Sequence, residues 1–240
     1  MNSNSDPAKD RAARAGADRV RDGMIVGLGS GSTAARMVRH LARRLADERL
    51  SIVAVATSKA TADLARSLGI TLRELDEVER LDISLDGADE IDPQFRMIKG
   101  RGGALLREKV VACASSHRVT MITAEKRVER LGRGMPIPVE VSNFGLAHTE
   151  RHIRELGGTT AVRRSSDGSL VLTDGGNALI DCHFPDLDDP AALDARLQCL
   201  AGVLDTGLFV GLCDVLIVAR PDDIEIVEVT RAGATHPNNQ

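Results

Sequence analysis

The sequence predicts an α/β protein: a doubly wound, mostly parallel sheet of Rossmann-like type with a second, smaller α+β (ferredoxin-like) domain. Three observations carry this prediction. Short apolar runs alternate with amphipathic helical stretches between residues 24 and 123, which is the pattern of a parallel sheet wound by helices. Two glycine-rich segments, Gly27 to Thr33 and Lys99 to Gly103, each lead into a helix, and sites of such sheets are built on loops of this kind at strand ends. After Gly132 the rhythm changes to strand, helix, strand and hairpin, before two further apolar runs close the chain. The division this suggests is a main domain of residues 1–131 and 207–240, with residues 132–206 as the small domain.

Residues 1–8 read as a frayed tail, and Lys9 to Val20 as an Ala- and Arg-rich helix ending near Gly23. Met24 to Val26 is a buried strand running into Gly27-Leu28-Gly29-Ser30-Gly31-Ser32-Thr33. The helix that follows carries Met37, Val38, Leu41 and Leu45 on one face. A glycine loop at a helix start offers backbone N–H groups and the positive end of the helix dipole to an anion, and Ser30, Ser32 and Thr33 add hydroxyls. The loop lacks the Gly-Lys-Ser/Thr of a Walker A motif, and Ser32 stands where a dinucleotide fingerprint needs its third glycine. The next strand, Ile52 to Ala56, ends in Thr57-Ser58-Lys59 instead of an acidic residue. A small phosphorylated sugar suits this loop better than NAD does.

Lys59 to Leu68 reads as a helix stopped by Gly69, and Ile70 to Leu72 as the start of another strand. Leu81 to Leu85 alternates as a strand does, and Asp86-Gly87-Ala88-Asp89-Glu90 crowds three carboxylates at its end. Like charges this close resist ionising together, so one of them is expected to hold a proton near neutrality unless a cation or a ligand sits beside it. Lys99 is the local cation. It opens Lys99-Gly100-Arg101-Gly102-Gly103, whose glycines permit a tight turn and a close approach of backbone to a ligand. The helix Ala104 to Ala114 follows, with Glu108 and Lys109 about one turn inside it, and then the strand Val119 to Thr123 with Lys126 just beyond.

In the second half, Ile137 to Val141 reads as a strand, His148 to Leu156 as a helix and Thr160 to Arg163 as a strand. Leu170 to Thr173 and Ala178 to Cys182 form a hairpin across Asp174-Gly175-Gly176-Asn177. Asp189-Pro190 starts a helix with Asp as cap and Pro at its first position. Leu212 to Ala219 and Ile224 to Val229 return to the main sheet, and the closing RAGATHPNNQ reads as disordered.

Composition excludes several classes. Hydrophobic residues make up 42% of the 240 residues, enough for a sizeable core. The formal net charge is −4, from 31 basic and 35 acidic residues, and aromatic residues are 2% with no Trp or Tyr. No basic groove or stacking platform for nucleic acid is therefore expected. Apolar runs such as residues 215–219 are too short to span a bilayer and the polar N-terminus has no secretory hydrophobic region, so a cytoplasmic protein without a membrane partner is expected. Cys113, Cys182, Cys199 and Cys213 lack CxxC spacing and read as reduced structural thiols. His148 and His152 are an i,i+4 pair with no third ligand nearby, so no metal site is expected.

VGLGSGSTA (26–34), DGADEID (86–92) and MIKGRGGALLREK (97–109), in this order and spacing, resemble the A-type ribose-5-phosphate isomerases. The likeness continues through TSKATADLARSLGI (57–70), PVEV (138–141), TDGGNALID (173–181) and TGLF (206–209), and so covers nearly the whole chain. The resemblance implies interconversion of ribose 5-phosphate and ribulose 5-phosphate, an aldose-ketose isomerisation of the non-oxidative pentose phosphate pathway. A proton leaves C2 and returns at C1 through an enediol, which requires one carboxylate within reach of both carbons. By matching positions, the resemblance implies Glu108 as that base, and Asp86 and Asp89 with Lys99 for ring opening and the hydroxyls. It implies a sugar phosphate held along Ser30, Gly31, Ser32, Thr33, Asp86, Gly87, Ala88, Asp89, Lys99, Gly100, Arg101, Gly102 and Lys126, the end taken by each loop being left open. It further implies no metal or organic cofactor and a homodimer or homotetramer.

Two departures from the family pattern stand out. Arg101 puts a bulky cation in a loop that is usually all glycine after its lysine, so its backbone must suit a residue with a Cβ. Thr123-Ala124-Glu125 replaces an acidic residue common just before Lys126, which leaves the local hydrogen bonding to be found. Two other readings compete: a non-catalytic sugar-phosphate sensor, and a coenzyme A transferase with Glu108 as nucleophile. A sensor of the transcription-regulator kind would carry a helix-turn-helix module, and the segment before Met24 is too short for one. Assays with ribose 5-phosphate and with an acyl-CoA separate all three.

Overall fold

The computed structural model describes residues 6–185 and 187–229. In chain order its elements are α1 (Pro7–Ala17), β1 (Ile25–Leu28), α2 (Gly31–Glu48), β2 (Val53–Ala56), α3 (Lys59–Ser67), β3 (Leu81–Gly87), β4 (Glu90–Ile91), β5 (Met97–Ile98), α4 (Leu105–Cys113) and β6 (Ser115–Thr123). There follow β7 (Ile137–Val141), α5 (Leu146–Glu155), β8 (Thr159–Val162), β9 (Ala178–His183), α6 (Pro190–Gln198), β10 (Val203–Thr206), β11 (Leu208–Phe209), β12 (Val215–Ala219) and β13 (Ile224–Glu228).

The central sheet has the order β13-β12-β6-β3-β1-β2, and every neighbouring pair is parallel except β12 with β13. Its inner strands are apolar on both faces because both faces are covered. Along β12, Val215, Ile217 and Ala219 enter the core under α1, α2 and α3, while Leu216 and Val218 enter the core on the opposite face with Leu105 and Phe209. This is the pleat of a strand read as an unbroken apolar run. Helix α2 buries Met37, Val38 and Leu41 as its spacing predicts.

The second sheet is antiparallel, in the order β10-β7-β9-β8. With α5 between β7 and β8 and α6 between β9 and β10, it is the β-α-β-β-α-β arrangement of ferredoxin-like domains. Ile137, Val139, Ile180, Ile153 and Leu197 form its core. A third sheet, β11-β5-β4, consists of two-residue strands and was not anticipated.

Four expectations need correction. The first helix begins at Pro7, not Lys9: Asp6 accepts a hydrogen bond from Lys9 N, Pro7 takes the first position, and Ala8 is buried, so residues 6–8 are not a tail. Residues 70–72 supply a single parallel bridge, Leu72 to Ala54, in place of a strand. The expected hairpin is reduced to a bridge between Leu172 and Ala178, because β9 takes β7 and β8 as its partners. Among the four free cysteines, Cys182 and Cys213 are buried, but Cys113 and Cys199 are exposed at helix ends. The expectation for RAGATHPNNQ falls outside the described residues. No helix of the described residues is long and apolar enough to cross a membrane.

Candidate active site

The parallel strands β1, β2, β3 and β6 all point their C-terminal ends to one edge of the central sheet, and the loops after β1 and β3 leave from that edge, while the loop 99–103 follows β5 of the three-stranded sheet. A cleft of about 680 Å³ opens there. It brings together Ser30, Gly31, Ser32 and Thr33 at the start of α2, Gly87, Ala88 and Asp89 after β3, Lys99, Gly100, Arg101 and Gly102, Glu108 on α4, and Lys126. Asp86 lies one layer deeper, lining a water-sized recess behind the cleft with Gly29, Lys99 and Glu108.

Asp86 ties the two glycine segments together. Its Oδ1 accepts from Ser30 N (3.0 Å) and Gly87 N (2.7 Å), and its Oδ2 accepts from Lys99 Nζ (2.8 Å). The carboxylate sits so close to the first loop that a Cβ on Gly29 would collide with it, which is why the chain has glycine there. Lys99 is buried; its ammonium also donates to Gly87 O (2.5 Å), stands 3.1 Å from Glu108 Oε2 and lies 5.3 Å from the centre of the Phe209 ring.

Glu108 is in the first turn of α4 and is buried. Apart from the contact with Lys99, its Oε2 has no hydrogen-bond partner among the described residues. Burial first, and the neighbouring Asp86 carboxylate second, push its pKa up to about 7; Lys99 offsets part of this and Asp89 adds to it. For Lys99, burial opposes the charge, but Asp86 and Glu108 outweigh it and hold the lysine above its ordinary value. The raised proton affinity therefore belongs to Glu108, which lies outside the Asp86 to Glu90 cluster where the sequence places a shared proton.

The acidic cluster itself is dispersed. Asp89 and Glu90 both line the cleft; Asp89 Oδ2 accepts from Arg101 N (3.0 Å), whereas Glu90 is buried and accepts from Gly132 N (2.8 Å) and Gly134 N (3.2 Å). Backbone N–H groups of two different loops thus take up the two carboxylates. Lys109 likewise leaves the site: it pairs with Asp205 (2.5 Å) and approaches Asp194 (3.8 Å).

Both departures from the family pattern find a local explanation. Gly100, with φ of 103°, supplies the left-handed turn of the loop, and Arg101 lies outside that conformational region, exposed at the cleft rim. Thr123 Oγ1 donates to Glu125, and Lys126 Nζ donates to Ala88 O at 2.5 Å. Burial lowers the Lys126 pKa, with Asp89 opposing the shift.

At the start of α2, Ser30 makes no side-chain cap bond; its hydroxyl lies 2.6 Å from Thr57 Oγ1, which donates to Leu28 O. Lys9, Glu90, Glu125, Val128, Gly134 and Met135 also line the cleft and are not among the site residues the sequence predicts. Lys9 carries no local sequence signal, because it reaches the cleft only through the packing of α1 against α2.

Comparison with known proteins gives one consistent result. The family described as ribose 5-phosphate isomerase A (phosphoriboisomerase A) matches residues 53–223. The chain is 50% identical over 219 residues to a ribose-5-phosphate isomerase A of Roseiflexus castenholzii, covering 91% of this chain and 94% of that protein. It is similar to the solved structure of a ribose 5-phosphate isomerase A from Methanocaldococcus jannaschii, with a TM-score of 0.89 and 34% identity over 95% of this chain and 100% of the other. It is similar also to a D-ribose-5-phosphate isomerase solved in complex with phospho-erythronic acid, with a TM-score of 0.88 and 32% identity over 92% and 97% of the two chains.

Proposed function

The chain belongs to the ribose 5-phosphate isomerase A family, and from that premise we propose how its site interconverts ribose 5-phosphate and ribulose 5-phosphate. Glu108 takes the proton from C2 and returns it at C1. Lys99, held by Asp86, stabilises the negative charge that develops on the substrate oxygen, and Asp89 with the loop 99–102 binds hydroxyls and assists ring opening. The observation that carries this reading is a buried carboxylate of raised proton affinity, 3.1 Å from a buried ammonium, at the wall of a cleft large enough for a pentose phosphate. A base whose pKa lies near neutrality is suited to both halves of a proton transfer. A related enzyme solved with phospho-erythronic acid supports a phosphorylated sugar as ligand.

Incubation with ribose 5-phosphate should yield ribulose 5-phosphate; absence of turnover there, with transfer from an acyl-CoA, would replace this reading with the transferase. The free protein should lose kcat/KM about tenfold per pH unit as the pH falls below about 7, because the carboxylate of Glu108 must be unprotonated to accept the proton. A pH-rate profile that stays flat down to about pH 5 would remove Glu108 from this role.

The phosphate is placed at the start of α2 with Ser30 to Thr33 and Lys126, since a dianion gains charge-assisted hydrogen bonds there that a hydroxyl does not. Thr33→Val combined with Lys126→Ala should raise KM by roughly tenfold or more and change kcat less, and free ribose should be a very poor substrate. Equal efficiency with ribose would contradict the placement.

A cytoplasmic homodimer or homotetramer completes the proposal, as does the division into residues 1–131 with 207–240 and residues 132–206. In support, β8 and β10 are edges of the four-stranded sheet, and Leu204 and Phe144 are exposed apolar side chains. Light scattering should give a multiple of the 25.6 kDa protomer mass, and a 25.6 kDa particle at micromolar concentration would argue against assembly.

A further inference from the structure

Arg163 directly follows β8 in the four-stranded sheet and reaches across to the loop that carries Lys99. Its guanidinium is fixed on one side by a fork to Asp181 of β9: Nε donates to Oδ2 at 2.9 Å and Nη2 donates to Oδ1. Its remaining terminal nitrogen, Nη1, donates to the carbonyl oxygens of Gly100 (3.2 Å) and Arg101 (3.0 Å). The side chains of Arg163 and Asp181 are only 17% and 23% exposed, so the fork is sheltered from water on both partners. A planar guanidinium held bidentately by a carboxylate presents its other nitrogen in one direction, and here that direction is the glycine loop.

The loop needs such a restraint. Gly100 and Gly103 have φ of 103° and 79°, and Gly102 meets no neighbour that a Cβ would touch. A stretch this rich in glycine loses more conformational freedom on ordering than any other sequence would. Lys99 precedes it immediately and must stay within 3.1 Å of Glu108 and 2.8 Å of Asp86. Its own backbone N–H is bound by Gly207 O (2.9 Å), and Gly207 N donates to Pro138 O (2.6 Å) of β7, so the four-stranded sheet also holds the entry to the loop.

We propose that Arg163 is a positioning residue for the isomerisation: oriented by Asp181, it clamps residues 100–101 from the four-stranded sheet and thereby fixes Lys99 against Glu108. This inference rests on the isomerase reading above, and it gives the second sheet a part in the reaction although the described wall of the cleft draws no residue from its strands. Arg163 does not line the cleft, so its loss should act through Lys99 and leave the phosphate loops in place.

The test compares Arg163→Ala, Arg163→Lys and Asp181→Asn with the wild-type chain in steady-state kinetics over a pH series, with folding checked by circular dichroism. Arg163→Ala should lower kcat by roughly tenfold to 10²-fold, the cost of an ångström-scale displacement of a catalytic group, with KM changed by no more than about threefold. The acid limb of its kcat/KM profile should move to higher pH. Glu108 is faced by Asp86, Asp89 and Lys99, and only Lys99 opposes its protonation, so a displaced ammonium lets the proton bind more tightly. Arg163→Lys keeps the charge but not the fork and should lose most of the same kcat, and Asp181→Asn should fall between it and the wild type. A folded Arg163→Ala variant with wild-type kcat and an unmoved acid limb would overturn the proposal; if that variant does not fold, the same two readouts on Arg163→Lys decide. Failure of the wild-type chain to isomerise ribose 5-phosphate would instead overturn the underlying functional reading.

Discussion

Glu108→Gln should lower kcat by roughly 10²-fold to 10⁴-fold with little change in KM, because the amide keeps the shape of the side chain and cannot accept the proton. The size of the effect follows from the absence of a substitute. Asp86 has both oxygens engaged, by Ser30 N and Gly87 N on one side and Lys99 on the other, and it lies behind the cleft wall. Asp89 faces the cleft but is committed to Arg101 N. If Glu108 were merely one half of a structural ion pair with Lys99, the same substitution would change stability and leave turnover close to wild type, so the ratio of the two kcat values separates the readings.

Lys99→Met should be the second large loss. It removes the cation that neutralises the buried Glu108 and the partly buried Asp86 and that is placed to meet the charge developing on the substrate oxygen. Loss of a preorganised charge of this kind costs roughly 10²-fold to 10³-fold in kcat. The variant should also be less stable, by roughly 3 kcal/mol, since the buried Glu108 and the partly buried Asp86 would lose their common partner. The two effects have separate readouts, kcat under saturating substrate and a urea unfolding curve. A kcat within tenfold of wild type in a folded variant would show that charge stabilisation comes from elsewhere, with Lys9, Arg101 and Lys126 the other cations that line the cleft.

The alternation of strands and helices was legible in the sequence because burial on both sheet faces writes each inner strand as a short apolar run, as β12 and β6 show. The glycine segment before α2 was legible because its residue types leave few other uses. The third sheet was not, since two residues such as Met97 and Ile98 carry no period. The start of α1 could have been found: Asp6-Pro7 is the same cap-and-proline signal that correctly placed α6 at Asp189-Pro190. The separate partners of the Asp86 to Glu90 carboxylates were not legible, because Lys99 at Asp86, Arg101 N at Asp89 and the N–H groups of Gly132 and Gly134 at Glu90 all lie 12 residues or more away in sequence. The partners of Arg163 lie 18 residues or more away in sequence, and no spacing rule connects them. Such long-range placements decide which charges share a site, and only the folded chain supplies them.

The most direct test of Glu108 as the carrier of the proton is exchange of the C2 hydrogen of ribose 5-phosphate with solvent deuterium, followed by NMR in the wild-type chain and in Glu108→Gln. Washout in the wild type that disappears together with isomerisation in the Gln variant is the expected result. Washout that continues in the variant at the wild-type rate would contradict it and would move the base to Asp86 or Asp89.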